Sequence, residues 1–261
     1  MAELFDALRA AIAADEPVAL ATLVEGPGVG RKLLVRLSGE PEGDLGDPEL
    51  TRVVARDARG ELEAGRSALR HYGARGEARH SEVSAFIESF APPPRMLVFG
   101  AVDFTAALVR VAKGLGYRVC VCDARQVFAT RARFPSADEV ACEWPQELLA
   151  RLGPSLGPRD AVCVLTHDPK FDVPAVVAAL ATRAGYIGCM GSRRTHERRL
   201  ERLREAGVGE AELRRVMAPI GMDLGARTPE ETAISICAEI IALRAGRSPP
   251  FLRDAKGPIH G

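Results

Sequence analysis

Three consecutive prolines, Pro92, Pro93 and Pro94, constrain this chain more than any other feature. Proline has no backbone N–H and a fixed φ. A run of three therefore continues neither a helix nor a central strand, and it stiffens the connection it makes. The run predicts a smaller N-terminal domain at 1–91, a Pro-rich linker at 92–95, a larger domain at 96–247 and a C-terminal tail at 248–261.

Beyond the prolines, apolar runs alternate with helical patterns. Met96–Phe99, Arg118–Cys122, a short segment around Val140, Asp160–Leu165 and Tyr186–Met190 read as strands. Phe104–Leu115, with Leu108, Val111 and Leu115 on one side, and Val173–Thr182 read as helices. Such alternation predicts an α/β domain whose parallel sheet is covered on both faces, a Rossmann-like arrangement. Sheets of this kind take ligands beyond the carboxyl ends of their strands. Gly100, Asp123, Thr166, His167, Asp168, Gly191 and Ser192 all end predicted strands, so one crevice is expected to gather them.

The part before the prolines reads as a small α+β unit. An amphipathic helix at Glu3–Ala14 carries Leu4, Phe5, Leu8 and Ile12. Strands at Val18–Val24 and Lys32–Leu37 flank a Gly-rich turn, and Glu82–Phe90 alternates Val83, Ala85 and Ile87 as a further strand. Asp47 followed by Pro48 opens a second helix, as cap and first residue.

Lys+Arg and Asp+Glu are both 35, and this zero formal charge argues against a nucleic-acid binder, whose footprint is a basic surface. The first residues lack the basic and apolar regions of a signal peptide, and no apolar run has the length of a membrane span. A cytoplasmic location and reduced thiols are expected for the six cysteines. Cys120 and Cys122 would share one strand face, where packing rather than metal binding explains them, since no second ligand pair is present.

A dinucleotide site needs three glycines after the first strand. Gly100-Ala-Val-Asp103 keeps one, puts a side chain where the pyrophosphate should approach, and sets the Asp103 carboxylate at the helix start, where it repels phosphate. Asp123 matches a ribose-binding acid only weakly, so NAD(P) is a doubtful cofactor. His167-Asp168 either holds a metal, orients a substrate, acts in acid–base chemistry, or caps the next turn. Ser192-Arg193-Arg194 is the best candidate for an anion site, the alternative being that both arginines pair with nearby acids such as Glu197. Arginines there oppose the helix dipole at a cost of a few tenths of a kcal/mol each, a position useful where an anion sits. The remainder of that helix, through Glu205, reads as a solvated face pairing Arg198 with Glu201 and Arg202 with Glu205. Gly221 and Asp223 lie in Pro219–Gly225, which suits a tight turn or a backbone close to a ligand. Thr228, Pro229 and Glu231 open a last helix with Ala233, Ile234, Cys237, Ile240 and Ile241 as its inner stripe. No catalytic nucleophile is identifiable.

Taken in order, these motifs resemble the XdhC/CoxI family. The resemblance rests on Gly185-Tyr-Ile-Gly with Gly191-Ser-Arg-Arg194, on Pro219-Ile-Gly with Asp223-Leu-Gly-Ala226 and Thr228-Pro-Glu-Glu231, on Phe99-Gly-Ala101, on Asp123-Ala-Arg125 with Phe134-Pro135, and on Thr166-His-Asp168. It spans about Pro94–Gly246 and is weaker before that. It implies an accessory protein, not an enzyme. Such a protein binds molybdenum cofactor (molybdopterin), protects its sulfurated form and delivers it to a molybdenum hydroxylase. It also implies a cysteine desulfurase as partner and a homo-oligomer, with no nucleic acid or membrane involved. An NAD(P)-dependent oxidoreductase and a non-catalytic scaffold are the alternatives. This chain departs from the family pattern in two places. Leu45-Gly-Asp-Pro-Glu-Leu50 stands where many members have a Gly-Gly-Gly-Cys-x-Glu segment, and Gly100-Ala-Val-Asp103 where many have Gly-Ala-Gly-His.

Overall fold

The computed structural model describes residues 2–77, 81–166 and 168–247. The predicted tail at 248–261 and His167 lie outside the described residues. The chain divides into two compact units, Met1–Pro92 and Pro93–Gly261.

The first unit is a five-stranded antiparallel sheet with a helix on each face. Its elements are α1 (Ala2–Ala13), β1 (Val18–Glu25), β2 (Lys32–Arg36), β3 (Glu42–Gly43), α2 (Pro48–Ala64), β4 (Ala68–Tyr72) and β5 (Val83–Phe90), in the order β3-β2-β1-β5-β4. Strand alternation sorts the two faces. Val18, Leu20 and Leu34 join Leu8 and Ala11 of α1, while Ala19, Ala21, Leu33, Val35, Ala85 and Ile87 join Leu50, Val54, Ala58 and Leu62 of α2. Phe5 and Ile12, expected on the inner side of α1, are exposed.

Helix α2 starts where Asp47-Pro48 predicts. The Asp47 carboxylate accepts the Glu49 and Leu50 N–H groups at 2.9 and 3.0 Å. The helix ends at Gly65 in the left-handed region, which glycine enters without strain.

The second unit holds β6 (Arg95–Phe99), α3 (Asp103–Gly114), β7 (Arg118–Cys122), β8 (Glu139–Ala141), α4 (Pro145–Leu152), β9 (Ala161–Val164), α5 (Pro169–Leu180), β10 (Tyr186–Cys189), α6 (Arg193–Glu205), α7 (Glu210–Leu213), β11 (Val216–Met217) and α8 (Pro229–Arg244). The sheet order is β11-β10-β9-β6-β7-β8, with every pairing parallel. The chain runs outward from β6 to β8, then crosses through α4 to β9 on the other side of β6. The sequence direction therefore reverses between β6 and β9, as in a Rossmann-like sheet.

Both faces are covered, which is why the strands read as unbroken apolar runs. Met96, Val98, Val119, Val121, Ala161 and Cys163 face α3 and α8. Leu97, Phe99, Cys120, Cys122, Val162, Val164, Ile187 and Cys189 face α4, α5 and α6. Cys120 and Cys122 are thus core residues, and burial pushes both thiols up to about 12. Two helix stripes need correction. Leu115 of the α3 pattern is exposed, and α8 buries Ala233, Ile236, Cys237 and Ile240 while Ile234 and Ile241 face outward.

Candidate functional site

The loops that follow β6, β7, β9 and β10 meet at the carboxyl edge of the sheet. After β6, Gly100 has φ +108, and a Cβ there would lie 2.7 Å from Thr166 Cγ2. Only glycine lets the β6 loop lie this close to the end of β9. Helix α3 is capped by Val102 without a side-chain bond, so Asp103 is its first residue rather than its cap. The Asp103 carboxylate is exposed and lies 3.6 Å from Arg133.

Asp123, at the end of β7, is engaged from within the chain. It accepts the Ala101 N–H at 2.9 Å, the Arg125 N–H at 3.0 Å, and Arg125 Nε and Nη2 at 2.9 and 2.8 Å. An ionised carboxylate has about four acceptor positions, and these bonds use them. Burial pushes this carboxyl up, but the Arg125 guanidinium and the two amides outweigh it and leave it below its ordinary value.

Arg125 is the first of several cations around an aromatic surface. Its guanidinium sits 4.5 Å from the Phe128 ring centre. Trp144 and Phe171 stack at 5.0 Å with 25° between planes, and Lys170 Nζ lies 5.2 Å from the Trp144 ring. Trp144 caps α4 and Phe171 belongs to the first turn of α5, so α4 and α5 build this surface together. The sequence reading missed it because the two rings are 27 positions apart in the chain.

At the end of β9 a buried polar chain begins. The Thr166 hydroxyl donates to Asp172 Oδ1. Asp172 Oδ2 accepts Arg199 Nη2 at 2.9 Å, and the same Nη2 donates to the Met190 carbonyl at 2.7 Å. The Arg199 and Asp172 side chains are 3% and 4% exposed, so this ion pair ties β9, α5, α6 and the end of β10 together away from water. Arg199 Nε and Nη1 have no partner among the described residues. Arginine keeps its charge at any working pH, so each enclosed, unsatisfied donor costs about 1–3 kcal/mol or more. Burial, and then the Arg199 charge, hold neighbouring His196 below its ordinary pKa.

Asp168 takes the blandest of its sequence roles. It caps α5 by accepting the Lys170 N–H at 3.0 Å, ahead of Pro169. Ser192 likewise caps α6, accepting the Thr195 N–H at 3.2 Å and lying 2.9 Å from Thr195 Oγ1. Gly191 before it has φ +138. Arg193 and Arg194 are exposed in the first turn of α6, which carries no acid. Among the described residues the ion pairs of α6 are Arg199 with Asp172 and Arg204 with Glu210. Among the described residues the expected Arg198–Glu201 and Arg202–Glu205 pairs are not formed, and the exposed Arg198 and Arg202 line a cavity together with residues of α5.

Gly221 follows β11 with φ +93, and a Cβ there would meet Ser235 Oγ of α8 at 2.5 Å. Its N–H donates to Glu239 at 3.0 Å, so close packing of the loop on α8 accounts for this glycine. Asp223, two residues on, is exposed. Among the described residues no group of three or more His, Cys, Asp or Glu is placed to hold a metal. No described helix is long and apolar enough to cross a membrane.

Comparison with known proteins follows the same division of the chain. The XdhC Rossmann domain matches residues 96–240, and the XdhC and CoxI family matches residues 11–73. A Bacillus subtilis protein named as a probable xanthine dehydrogenase subunit is 32% identical over 159 residues, covering 61% of this chain and 46% of the relative. The molybdenum cofactor insertion chaperone PaoD of Escherichia coli is 37% identical over 84 residues, covering 32% of this chain and 26% of the chaperone. An uncharacterised Escherichia coli protein, YqeB, is 28% identical over 239 residues, covering 87% of this chain and 44% of the relative. The chain thus spans less than half the length of each. A crystal structure described as a xanthine dehydrogenase from Bacillus halodurans shares the fold, with a TM-score of 0.53, 20% identity and coverage of 94% and 96% of the two chains. The chain belongs to the XdhC and CoxI family, with its second unit the XdhC Rossmann domain.

Proposed function

We propose that this protein binds molybdenum cofactor and helps insert it into a molybdenum hydroxylase of the xanthine dehydrogenase type. The observation that carries the reading is membership of the XdhC and CoxI family along both units, with a relative named as a cofactor insertion chaperone. The residues at the carboxyl edge fit the chemistry of such a ligand. Arg193 and Arg194 project from an α6 first turn free of acids, beside helix N–H groups suited to the phosphate of the pterin. Trp144 and Phe171, flanked by Lys170 and Arg125, suit a flat heterocycle by stacking and cation–π contact. When bound, the cofactor supplies the redox chemistry of the client. This chain's part is to hold the phosphate, cover the ring and exclude water until transfer.

In this reading Gly100, Asp123, Thr166, Gly191 and Gly221 shape the crevice from behind, while the exposed Asp103, Asp168 and Asp223 belong to its rim. The protein performs no catalysis of its own, works with a cysteine desulfurase that maintains the sulfurated cofactor, and acts as a homo-oligomer in the cytoplasm. The dinucleotide alternative loses its main support at Asp123, whose acceptor positions are taken by Ala101 and Arg125. The missing cysteine at Leu45–Leu50 marks a difference in how the metal is handled. Asp47 and Pro48 use that stretch to start α2, so it offers no thiol.

The test is reconstitution of an apo-hydroxylase with free cofactor, with and without this protein. Faster or more complete activation in its presence is expected. Equal activation, together with pull-down of the hydroxylase, would leave the scaffold alternative standing in its place.

A further inference from the structure

The wall between α5 and α6 carries charge that the reading above does not use. Helix α6 sets Thr195, Arg198, Arg199 and Arg202 at i, i+3, i+4 and i+7, so they share one face. That face lines a cavity of about 230 Å³, closed on the other side by Pro169, Asp172 and Val173 of α5. A single water needs only about 10–15 Å³ of such space, so the cavity admits a polyatomic guest.

Its lining holds three guanidinium groups and one carboxylate. The carboxylate, Asp172, is already committed to Thr166 and Arg199, so the cavity presents an excess of positive charge. Arg199 is almost wholly buried, and two of its nitrogens have no partner among the described residues. Arg198 and Arg202 are exposed at the rim and form no ion pair among the described residues. The two open nitrogens of Arg199 are enclosed, so Arg199 acts on the cavity through its charge, while the accessible donors are those of Arg198 and Arg202. Guanidinium forks match the paired oxygens of phosphate better than they match a spherical ion.

We propose that this cavity binds a tetrahedral oxyanion of the phosphate class, free or as the terminal group of a phosphomonoester. Arg198 and Arg202 hold it from the rim, and Arg199 sets the charge at the base. The site differs from the α6 first turn, where Arg193 and Arg194 stand, and it stands whether or not the chain handles molybdenum cofactor.

The test is calorimetric titration of the full chain, at low ionic strength, with inorganic phosphate and with glycerol phosphate. Saturable binding at the cavity is expected, weakened at least tenfold in the Arg198→Gln/Arg202→Gln variant, whose melting temperature serves as the folding control. Binding of inorganic phosphate assigns the site to the free anion, and binding of glycerol phosphate alone assigns it to a phosphomonoester. In the Arg193→Ala/Arg194→Ala background, which removes the position assigned to the pterin phosphate and leaves the cavity lining intact, one saturable phosphate site should remain. Heat from neither ligand, unchanged affinity in the rim variant, or loss of binding in the Arg193/Arg194 variant would each overturn the proposal.

Discussion

Each unit buries charge in its helices, and the two cases are satisfied very differently. In the first unit the Glu61 carboxylate of α2 is 4% exposed and meets Arg70 at one oxygen and Arg66, at 3.4 Å, at the other. Its partners reach in from solvent, so they bring their own hydration with them. In the second unit Arg199 of α6 is as deeply buried, but its one carboxylate, Asp172, is buried too, and half of its fork is left open. The first is a buried charge neutralised by a flexible surface. The second is a rigid charged element held in place with spare donors. Structural ion pairs usually close their hydrogen-bond inventory; here the pair lies beneath a cavity whose lining holds three guanidinium groups against one carboxylate.

Breaking the second arrangement should have the largest effect. Arg199→Met leaves Asp172 buried without its cation and should destabilise the second unit by about 3–5 kcal/mol in urea unfolding. The Asp172→Asn/Arg199→Met double variant removes both charges and should recover much of that loss, giving a large coupling energy in the double-mutant cycle. Thr166→Val deletes the hydroxyl that Asp172 accepts and should cost about 1.5–3 kcal/mol, the range for hydrogen bonds to charged groups. Glu61→Gln in the first unit should cost only about 1 kcal/mol, because the amide oxygen still accepts from Arg70 and the exposed Arg66 returns to water.

Acid should act through Asp123. Its folded pKa lies below its unfolded value, so its contribution is present above about pH 3.9 and is lost as pH falls through the folded value. Urea midpoints measured from pH 5 down to pH 2 should fall more steeply for wild type than for Asp123→Asn. The smallest effect belongs to Arg198→Gln/Arg202→Gln, which should move stability by no more than about 0.5 kcal/mol while abolishing the excess charge of the cavity. A large stability loss there would make these arginines structural and erase the contrast.

Local signals were legible in the sequence. Asp47 with Pro48, and Thr228 with Pro229 and Glu231, cap helices where the chain chemistry places them, since a cap depends on neighbours three residues away. The parallel strands were legible because burial on both faces removes polar residues. Strand β4 escaped because Leu69, Arg70 and His71 are exposed, and α4 because two turns carry too little periodicity. Arg199 escaped for a different reason. Helix α6 is so charged that it reads as solvated, yet Leu203 is buried and Arg199, four residues earlier, must share its face. The partners that give Arg199 its meaning, Asp172 and Met190, come from other elements and are visible only once the sheet assembles.

The most direct test of the central claim is anaerobic equilibrium dialysis of the purified protein against molybdenum cofactor, with molybdenum counted per chain. The account predicts saturable binding, weakened by orders of magnitude in Arg193→Ala/Arg194→Ala. Absence of retained molybdenum at cofactor concentrations that load a hydroxylase would contradict it.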